Sequence, residues 1–360
     1  MKDSFRWFGL TLLLFIFALI LLSFRMANSV SANGGPLSWP PSGEGPLQFD
    51  PHSGINLVKE VISYDVQTNR HDLAIVTIEY VLKNTNAEDK NIDMLFITPV
   101  SESDDFLVLN GTVEIPTTTI PDVQIDGWEP STSMTFVEPI SGQSFHYKDQ
   151  KAATVSSEPP LTGSSFRLAF QAGESKNLKI QYTSYSGIHK LGLVHSTFTH
   201  LYYLTPASFW KDTPNVELNI SVPNSRFRLH SNIPMIKETI TSYQVKLDQL
   251  PGKEWQFSLV DSSGLLYGTN DSSTHFTYSL LIVIITTIVV FLIGLLRKQK
   301  SILVGGAVVI GLFMYLFFRT LFDNVILNII AVTIFWLISV IVLGIAFVIV
   351  DRKTKSMNKP

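Results

Sequence analysis

The residues with the clearest catalytic spacing are Ser208 and Lys211, which form an S-x-x-K motif in the stretch SFWK. In acylating serine enzymes, a lysine at this spacing can activate the serine hydroxyl as a nucleophile. The companion S-D-N and K-T-G motifs do not occur in the sequence, and the match follows Pro206 in a turn. The pattern therefore favours a coincidental match, and an exported serine hydrolase or acyl transferase stays an alternative.

Acidic and histidine residues are further candidates for chemistry. Glu102, Asp104 and Asp105 form a tight carboxylate cluster in SESDD that could offer oxygen ligands to calcium. The spaced D-x-D-x-D-G pattern of a calcium loop is missing, which favours a solvated acidic loop. His195 and His200 are five residues apart, so in a strand they point to opposite faces and cannot share a metal. We therefore predict no metal and no cofactor.

The stretch FTHLYYLTPASFW is rich in aromatic residues, which can stack on sugar or peptide ligands when they are exposed. Period-two alternation places one set inward: Phe198, His200, Tyr202 and Leu204. The outer face would then carry His195, Thr197, Thr199 and Tyr203. This pattern favours packing in a core over a binding surface.

The elements that would position these residues are β-strands. In LAIVTIEYVLKN, residues 73–84, apolar side chains recur at every second position, as in a half-buried strand. Asn110-Gly111 lies between two apolar runs in FLVLNGTVEI and predicts a hairpin with a type I′ turn. Further short strands follow up to residue 262, with no helical period before residue 278.

The resulting fold prediction is an all-β exported region followed by transmembrane helices. Short strands and polar turns predict two antiparallel, immunoglobulin-like β-sandwiches over residues 55–187 and 188–262, with one large sandwich as the alternative. A Pro- and Gly-rich linker over residues 33–54 would precede them, and a stalk over residues 263–277 would follow.

Apolar runs predict transmembrane helices at residues 278–296, 302–318 and 325–350, before a basic tail at residues 351–360. The first run has no charged residue, and its length as a helix is about 28 Å, close to the hydrocarbon thickness of a bilayer. Residues 1–32 are predicted to be a signal peptide, cleaved after Ala32, or a first transmembrane helix.

Basic residues beside these runs predict the orientation. They are Arg297, Lys298, Lys300, Arg352, Lys353 and Lys355. The positive-inside rule makes this end cytoplasmic and residues 33–277 extracytoplasmic. From residue 26 to residue 277 the chain has 27 acidic and 16 basic residues, so the exported region carries a net charge of −11. Such a charge argues against nucleic acid as a ligand.

Small residues in the second helix predict close helix packing: Gly305, Gly306, Ala307 and Gly311. The predicted spans carry no ionisable group at mid-membrane depth, which argues against transport by this chain alone. We therefore expect the last two helices to bind another membrane protein or a second copy of the chain, or simply to strengthen the anchor.

The chain has no cysteine, which excludes disulfides and thiolate chemistry and favours a bacterial envelope protein. Its layout is similar to that of Gram-positive envelope proteins. We predict a non-enzymatic binding or accessory component of an envelope assembly, in contact with the lipid bilayer and with a membrane or envelope protein. The alternatives are the serine enzyme described above and a sensor that works through a membrane partner.

Overall fold

The structure is a computed structural model that describes residues 38–39, 43–48, 54–98, 106–121, 135–146, 162–209, 215–265, 267–297, 299–318 and 325–357. The chain divides into two compact units: a β unit, Pro36–Leu265, and a helical unit that contains Leu266–Pro360.

The strands of the β unit range from 2 to 12 residues in length. They are β1 (Ser38–Trp39), β2 (Gly43–Gln48), β3 (Ile55–Val66), β4 (Leu73–Asn84), β5 (Lys90–Thr98), β6 (Leu107–Asn110), β7 (Val113–Glu114), β8 (Thr118–Ile120), β9 (Thr135–Val137), β10 (Ser144–His146), β11 (Thr162–Phe170), β12 (Ser175–Tyr185), β13 (Gly187–His189), β14 (Thr197–Tyr202), β15 (Asn215–Ser221), β16 (Phe227–Ser231), β17 (Ile236–Lys237), β18 (Ser242–Leu247) and β19 (Trp255–Asp261).

Among the described residues these strands form two large sheets and a separate hairpin, β9–β10. The nine-stranded sheet has the order β1-β13-β14-β2-β5-β11-β8, with β19 beside β14 and β16 beside β19. The eight-stranded sheet has the order β17-β18-β15-β3-β4-β12-β6-β7. The mostly β-strand architecture is therefore confirmed, whereas the immunoglobulin-like class stays a prediction.

The two sheets face each other across one hydrophobic core. On β3, the Tyr64 ring lies 5.5 Å from that of Trp255 and 5.0 Å from that of Phe257, both on β19 of the opposite sheet. At another point Phe96 of β5 lies 5.7 Å from Tyr182 of β12. Burial of such side chains contributes about 1.5–3 kcal/mol each, so this shared core is the main source of stability.

The predicted boundary between residues 187 and 188 does not separate two units. Strand β15, from the predicted second sandwich, pairs in parallel with β3, from the predicted first, over the register Asn215↔Lys59 to Ser221↔Asp65. A second parallel pair joins β2 to β14. The sheets are therefore mixed and not purely antiparallel, because strands distant in sequence are neighbours. Local pattern carries no information about such pairing.

Strand β4 and the β6–β7 hairpin illustrate what local pattern does predict. In β4, residues 74, 76, 78, 80 and 82 are buried, as the alternation predicts. The hairpin also forms, but its two-residue turn is Gly111-Thr112, because Asn110 pairs with Val113. Gly111 has φ +63°, and Thr112 is not among the positive-φ residues of the described chain. Glycine at the first central position is typical of a type II′ turn and not of the predicted type I′.

The predicted linker over residues 33–54 is partly wrong. Its described residues form β1 and β2, and β2 lies between β14 and β5 in the nine-stranded sheet. Backbone pairing does not require an apolar period, which explains why the composition of this segment failed to indicate strands.

The helical unit consists of α1 (Ser272–Arg297), α2 (Lys300–Phe318) and α3 (Val325–Met357). Helix α1 begins within the predicted stalk because Asp271 caps it: its carboxylate accepts a hydrogen bond from the Thr274 amide at 2.6 Å. Helix α3 continues into the predicted tail. In the described residues, the stretches Ser272–Arg297 and Val332–Arg352 are long and apolar enough to cross a membrane.

Candidate functional site

The predicted serine site is not assembled by the described residues. Ser208 lies in a 3₁₀ helix, Thr205–Phe209, and Lys211 lies outside the described residues. This helix is held at its start by Glu254, whose carboxylate accepts hydrogen bonds from the amides of Leu204 at 2.7 Å and Thr205 at 3.0 Å. Burial raises the pKa of Glu254, and these hydrogen bonds oppose part of the rise. The role of this carboxylate is to cap the helix.

The predicted calcium cluster, Glu102, Asp104 and Asp105, lies outside the described residues. Within the described part of the chain, no group of three or more histidine, aspartate and glutamate side chains could hold a metal ion.

The most unusual polar group in the β unit is Glu60, a fully buried carboxyl that sequence analysis did not select. A β-bulge in β3 explains its position. Leu57 pairs with Leu82, but the next paired residue is Lys59, opposite Val81. The extra residue, Val58, is exposed and reverses the alternation of the strand. The reversal turns Glu60 into the core, opposite Tyr80 of β4.

Two tyrosine hydroxyls surround the Glu60 carboxyl. The Tyr202 hydroxyl donates a hydrogen bond to Oε1 of Glu60 at 3.0 Å, and it lies 3.4 Å from the Tyr80 hydroxyl. Oε2 of Glu60 is buried and has no hydrogen-bond partner among the described residues. Tyr202 belongs to the nine-stranded sheet and Glu60 to the eight-stranded sheet, so this hydrogen bond is a polar link between the two sheets.

Burial governs the protonation of this cluster. It raises the pKa of Glu60 from 4.5 to about 7, although hydrogen bonding by Tyr202 and Tyr80 opposes part of the rise. Burial also raises the pKa of both tyrosines well above 10, so they stay neutral. Glu60 is therefore the group of this cluster that exchanges a proton near neutral pH. Its position inside the core suits proton binding and not contact with a substrate.

His200 is a second buried titratable group, and its inward position was predicted correctly. Its ring stacks on Phe257 at 4.9 Å and meets the edge of Tyr64 at 5.3 Å. The hydroxyl of Ser184 lies 3.5 Å from Nδ1. Burial lowers the pKa of His200 to about 3, so the ring is neutral and acts as part of the core.

The other face of β14 is also covered, which sequence analysis did not predict. Thr197, Thr199 and Tyr203 are buried instead of exposed. The β9–β10 hairpin provides part of the cover: the Ser258 hydroxyl of β19 donates to the Val137 carbonyl of β9 at 2.5 Å. Over residues 198–207 the aromatic stretch is therefore not an open binding surface.

The same hairpin packs on His189 of β13. The Phe145 ring stacks on that of His189, with centroids 3.9 Å apart. Burial lowers the pKa of His189 to about 4, although the nearby Glu138 carboxylate opposes this shift. Glu138 accepts hydrogen bonds from the amides of Ile140 and Ser141, which form the turn of the hairpin. The ring contact and the hydrogen bonds of Glu138 therefore stabilise the β9–β10 hairpin that covers this face of the sheet.

In the helical unit, three of the four predicted packing residues face their neighbours. A Cβ atom on Gly306 would lie 2.2 Å from Cγ1 of Val290 in α1, whereas one on Gly305 would meet open space. The Ala307 carbonyl accepts a hydrogen bond from the Trp336 indole of α3 at 3.0 Å. Gly311 is buried. The close approach of the helices thus depends on Gly306, Ala307 and Gly311, whereas Gly305 lies on the outer surface.

The basic residues that predict the orientation are found at one end of the helical unit. Arg297 ends α1, Lys300 begins α2, and Arg352 lies near the end of α3. Lys353 and Lys355 continue α3, and Lys298 lies outside the described residues.

Comparisons with known proteins do not identify a family: no known family matches the chain, and no curated protein does. Among solved structures, a protein from Legionella pneumophila that is named for nutrient binding is 13% identical, with a TM-score of 0.44 over 62% of this chain and 72% of its own. An M1 zinc metallopeptidase from Deinococcus radiodurans is 7% identical, with a TM-score of 0.28, and the match spans 64% of this chain and 52% of the peptidase. At these scores neither likeness carries an argument about function, and the chain is assigned to no family.

Proposed function

We propose that this chain is a membrane-anchored, extracytoplasmic protein that acts as a non-enzymatic binding or accessory component of a bacterial envelope assembly. The observation that carries the proposal is the apolar outer surface of the helical unit. The exposed side chains include Leu281, Ile285, Ile288, Leu292, Val309, Leu312, Ile334, Ile338, Ile341 and Ile345. So many exposed apolar side chains are unfavourable in water and suit a lipid environment.

The interior of the helical unit supports the same proposal. The Thr287 hydroxyl donates to the Val283 carbonyl one turn earlier at 2.8 Å, and lies 3.3 Å from the Ser339 hydroxyl of α3. Polar groups that satisfy one another between helices, with apolar groups outside, are typical of helices that pack within a bilayer. The basic residues at one end then favour a cytoplasmic C-terminus and an exported β unit.

The proposed role is binding because three buried ionisable groups of the β unit serve the fold. Glu60 and His200 lie between the sheets, and Glu254 caps a helix. Edges and turns are the expected contact surface for a protein partner. The edge formed by β17 and the following turn is an apolar candidate, since Ile236 and Ile240 have 68% and 70% of their surface exposed.

Site-specific photo-crosslinking in native membranes tests the accessory role. A photoreactive residue at Ile240 is expected to give a discrete adduct with an envelope protein. Leu191 is a matched control, because its side chain is 55% exposed but belongs to a turn after β13. No adduct at Ile240, or the same adduct at both positions, would contradict a specific binding edge.

The enzymatic alternative has its own test. A fluorophosphonate probe labels nucleophilic serines, and the full-length chain is expected to show no labelling. Labelling that disappears in Ser208→Ala and weakens in Lys211→Ala would establish the serine enzyme and refute the non-enzymatic role.

A further inference from the structure

Three cations lie near the end of the helical unit where α1 ends and α2 begins. The Lys300 ammonium forms an ion pair with the Asp351 carboxylate of α3, and it lies 5.3 Å from the centroid of the Phe347 ring. This pair places the start of α2 beside the last turns of α3. Arg297 is three residues before Lys300, and Arg352 follows Asp351 directly. We call Arg297, Lys300 and Arg352 the basic collar.

The charge of this end is poorly compensated by the protein. Residues 297–300 and 351–360 contain seven lysines and arginines but one acidic residue, Asp351. Lys300 already occupies that carboxylate. Arg297 and Arg352 are exposed, and neither forms an ion pair within the described residues. Two guanidinium groups are therefore available to an anion from outside the chain.

The exposed apolar surface of the helices continues up to these cations. Leu296, 81% exposed, directly precedes Arg297, and Val348 and Ile349 are exposed about one turn before Arg352. If these side chains contact acyl chains, the guanidinium groups lie at the level of the lipid phosphates. Arginine presents paired N–H donors that match a phosphate geometry better than lysine does.

We propose that the basic collar binds the phosphate headgroup of an anionic phospholipid. This inference rests on the proposed membrane anchoring and adds the chemistry of the lipid partner. The lipid is chosen by charge, because a zwitterionic headgroup carries its own cation and gains less from the collar. Lys300 orients the site by holding α2 against α3 through Asp351.

The experiment uses the full-length chain in vesicles of equal parts phosphatidylglycerol and phosphatidylcholine with identical acyl chains. The protein is extracted in mild detergent, and the lipids that remain bound are counted by native mass spectrometry. The wild-type chain is expected to retain phosphatidylglycerol preferentially. Each arginine contributes about fivefold, so Arg297→Gln combined with Arg352→Gln should reduce the preference about twenty-five-fold.

Two controls make the result specific. Lys59→Gln combined with Arg226→Gln removes two exposed charges from the β unit and should keep the preference. Arg297→Lys combined with Arg352→Lys keeps the charge and should keep part of it. Equal retention of both lipids by the wild type, or an unchanged preference in the double glutamine variant, overturns the inference. Release of the wild-type chain from membranes by alkaline carbonate would instead overturn the membrane anchoring on which the inference rests.

Discussion

Replacing Glu60 with glutamine should make the β unit more stable at neutral pH. The side chain lies in the core, where Oε1 accepts a hydrogen bond from Tyr202 and Oε2 has no partner within the described part of the chain. Ionisation therefore leaves a buried anion with few donors to stabilise it. Glutamine has nearly the same shape, keeps an oxygen that can accept from Tyr202, and never ionises.

The magnitude follows from proton linkage. The pKa of Glu60 is about 7 in the folded chain, against an ordinary value of 4.5 in the unfolded chain. Between these two pH values the folded state holds one more proton than the unfolded state. The free energy of unfolding therefore falls by about 1.4 kcal/mol for each unit by which the pH rises. The stabilisation that proton binding by Glu60 provides is fully present below pH 4.5 and is lost as the pH rises through 7. Glu60→Gln should therefore match the wild type at pH 4 and exceed its stability by about 3 kcal/mol at pH 8.

Urea-dependent pulse proteolysis of the full-length chain in detergent measures this difference. The urea midpoint of the β unit is compared between wild type and variant from pH 4 to pH 8. His189 and His200 also affect the wild-type curve, but they are present in both proteins and cancel in the difference. Glu79→Gln is the matched control, because it removes an exposed carboxylate from the adjacent strand β4.

Two outcomes would refute the reasoning. One is a stability difference between Glu60→Gln and the wild type that does not change with pH. The other is a variant that is less stable than the wild type at pH 8. Either result would mean that the Glu60 carboxylate is favourably solvated or paired in the folded chain.

The remaining predictions concern the core and the helices. As the pH falls from 8 to 5, the free energy of unfolding of His200→Phe should rise by about 2 kcal/mol relative to that of the wild type. The reason is that the wild-type histidine binds a proton in the unfolded chain but not in the folded core, and phenylalanine binds none in either state. The same urea assay measures this difference. Gly306→Ala should destabilise the helical unit by about 1–3 kcal/mol through its clash with Val290, whereas Gly305→Ala should change it by less than about 0.5 kcal/mol in a thermal melt in detergent. Asp271→Ala should cost about 0.5–2 kcal/mol and increase hydrogen exchange in the first turn of α1.

Sequence pattern predicts a strand of this chain well where buried and exposed residues alternate along it without a shift. Strand β4 alternates without interruption, and its buried face was predicted residue by residue. The three C-terminal helices were also predicted, although α1 begins earlier because the Asp271 cap was not recognised. In each case the signal lies within a few neighbouring residues.

Pattern fails where a fold depends on distant pairing. Nothing in the sequence of β15 indicates that its parallel neighbour is β3, more than 150 residues earlier. For the same reason the Pro- and Gly-rich segment did not indicate β1 and β2, which pair with strands distant in sequence. Two predicted domains became one unit for this reason.

Glu60 was missed although the sequence carries a signal for it. In INLVKEVISYDV, Ile55 and Leu57 follow one phase of alternation, and Ile62 and Tyr64 follow the other. The change of phase requires an extra residue, which is the mark of a bulge, and the bulge turns Glu60 inward. Its tyrosine partners could not be inferred, because Tyr202 belongs to the opposite sheet.

Cysteine accessibility tests the central claim most directly, because the chain has no native cysteine. Thr112, in the exposed turn of the β6–β7 hairpin, and Ser301, exposed at the start of α2, are each replaced by cysteine in the full-length chain. A membrane-impermeant maleimide added to intact cells should label Thr112→Cys, and should label Ser301→Cys only after the membrane is permeabilised. The reverse pattern, or labelling of both positions in intact cells, would contradict an exported β unit anchored by helices with a cytoplasmic basic end.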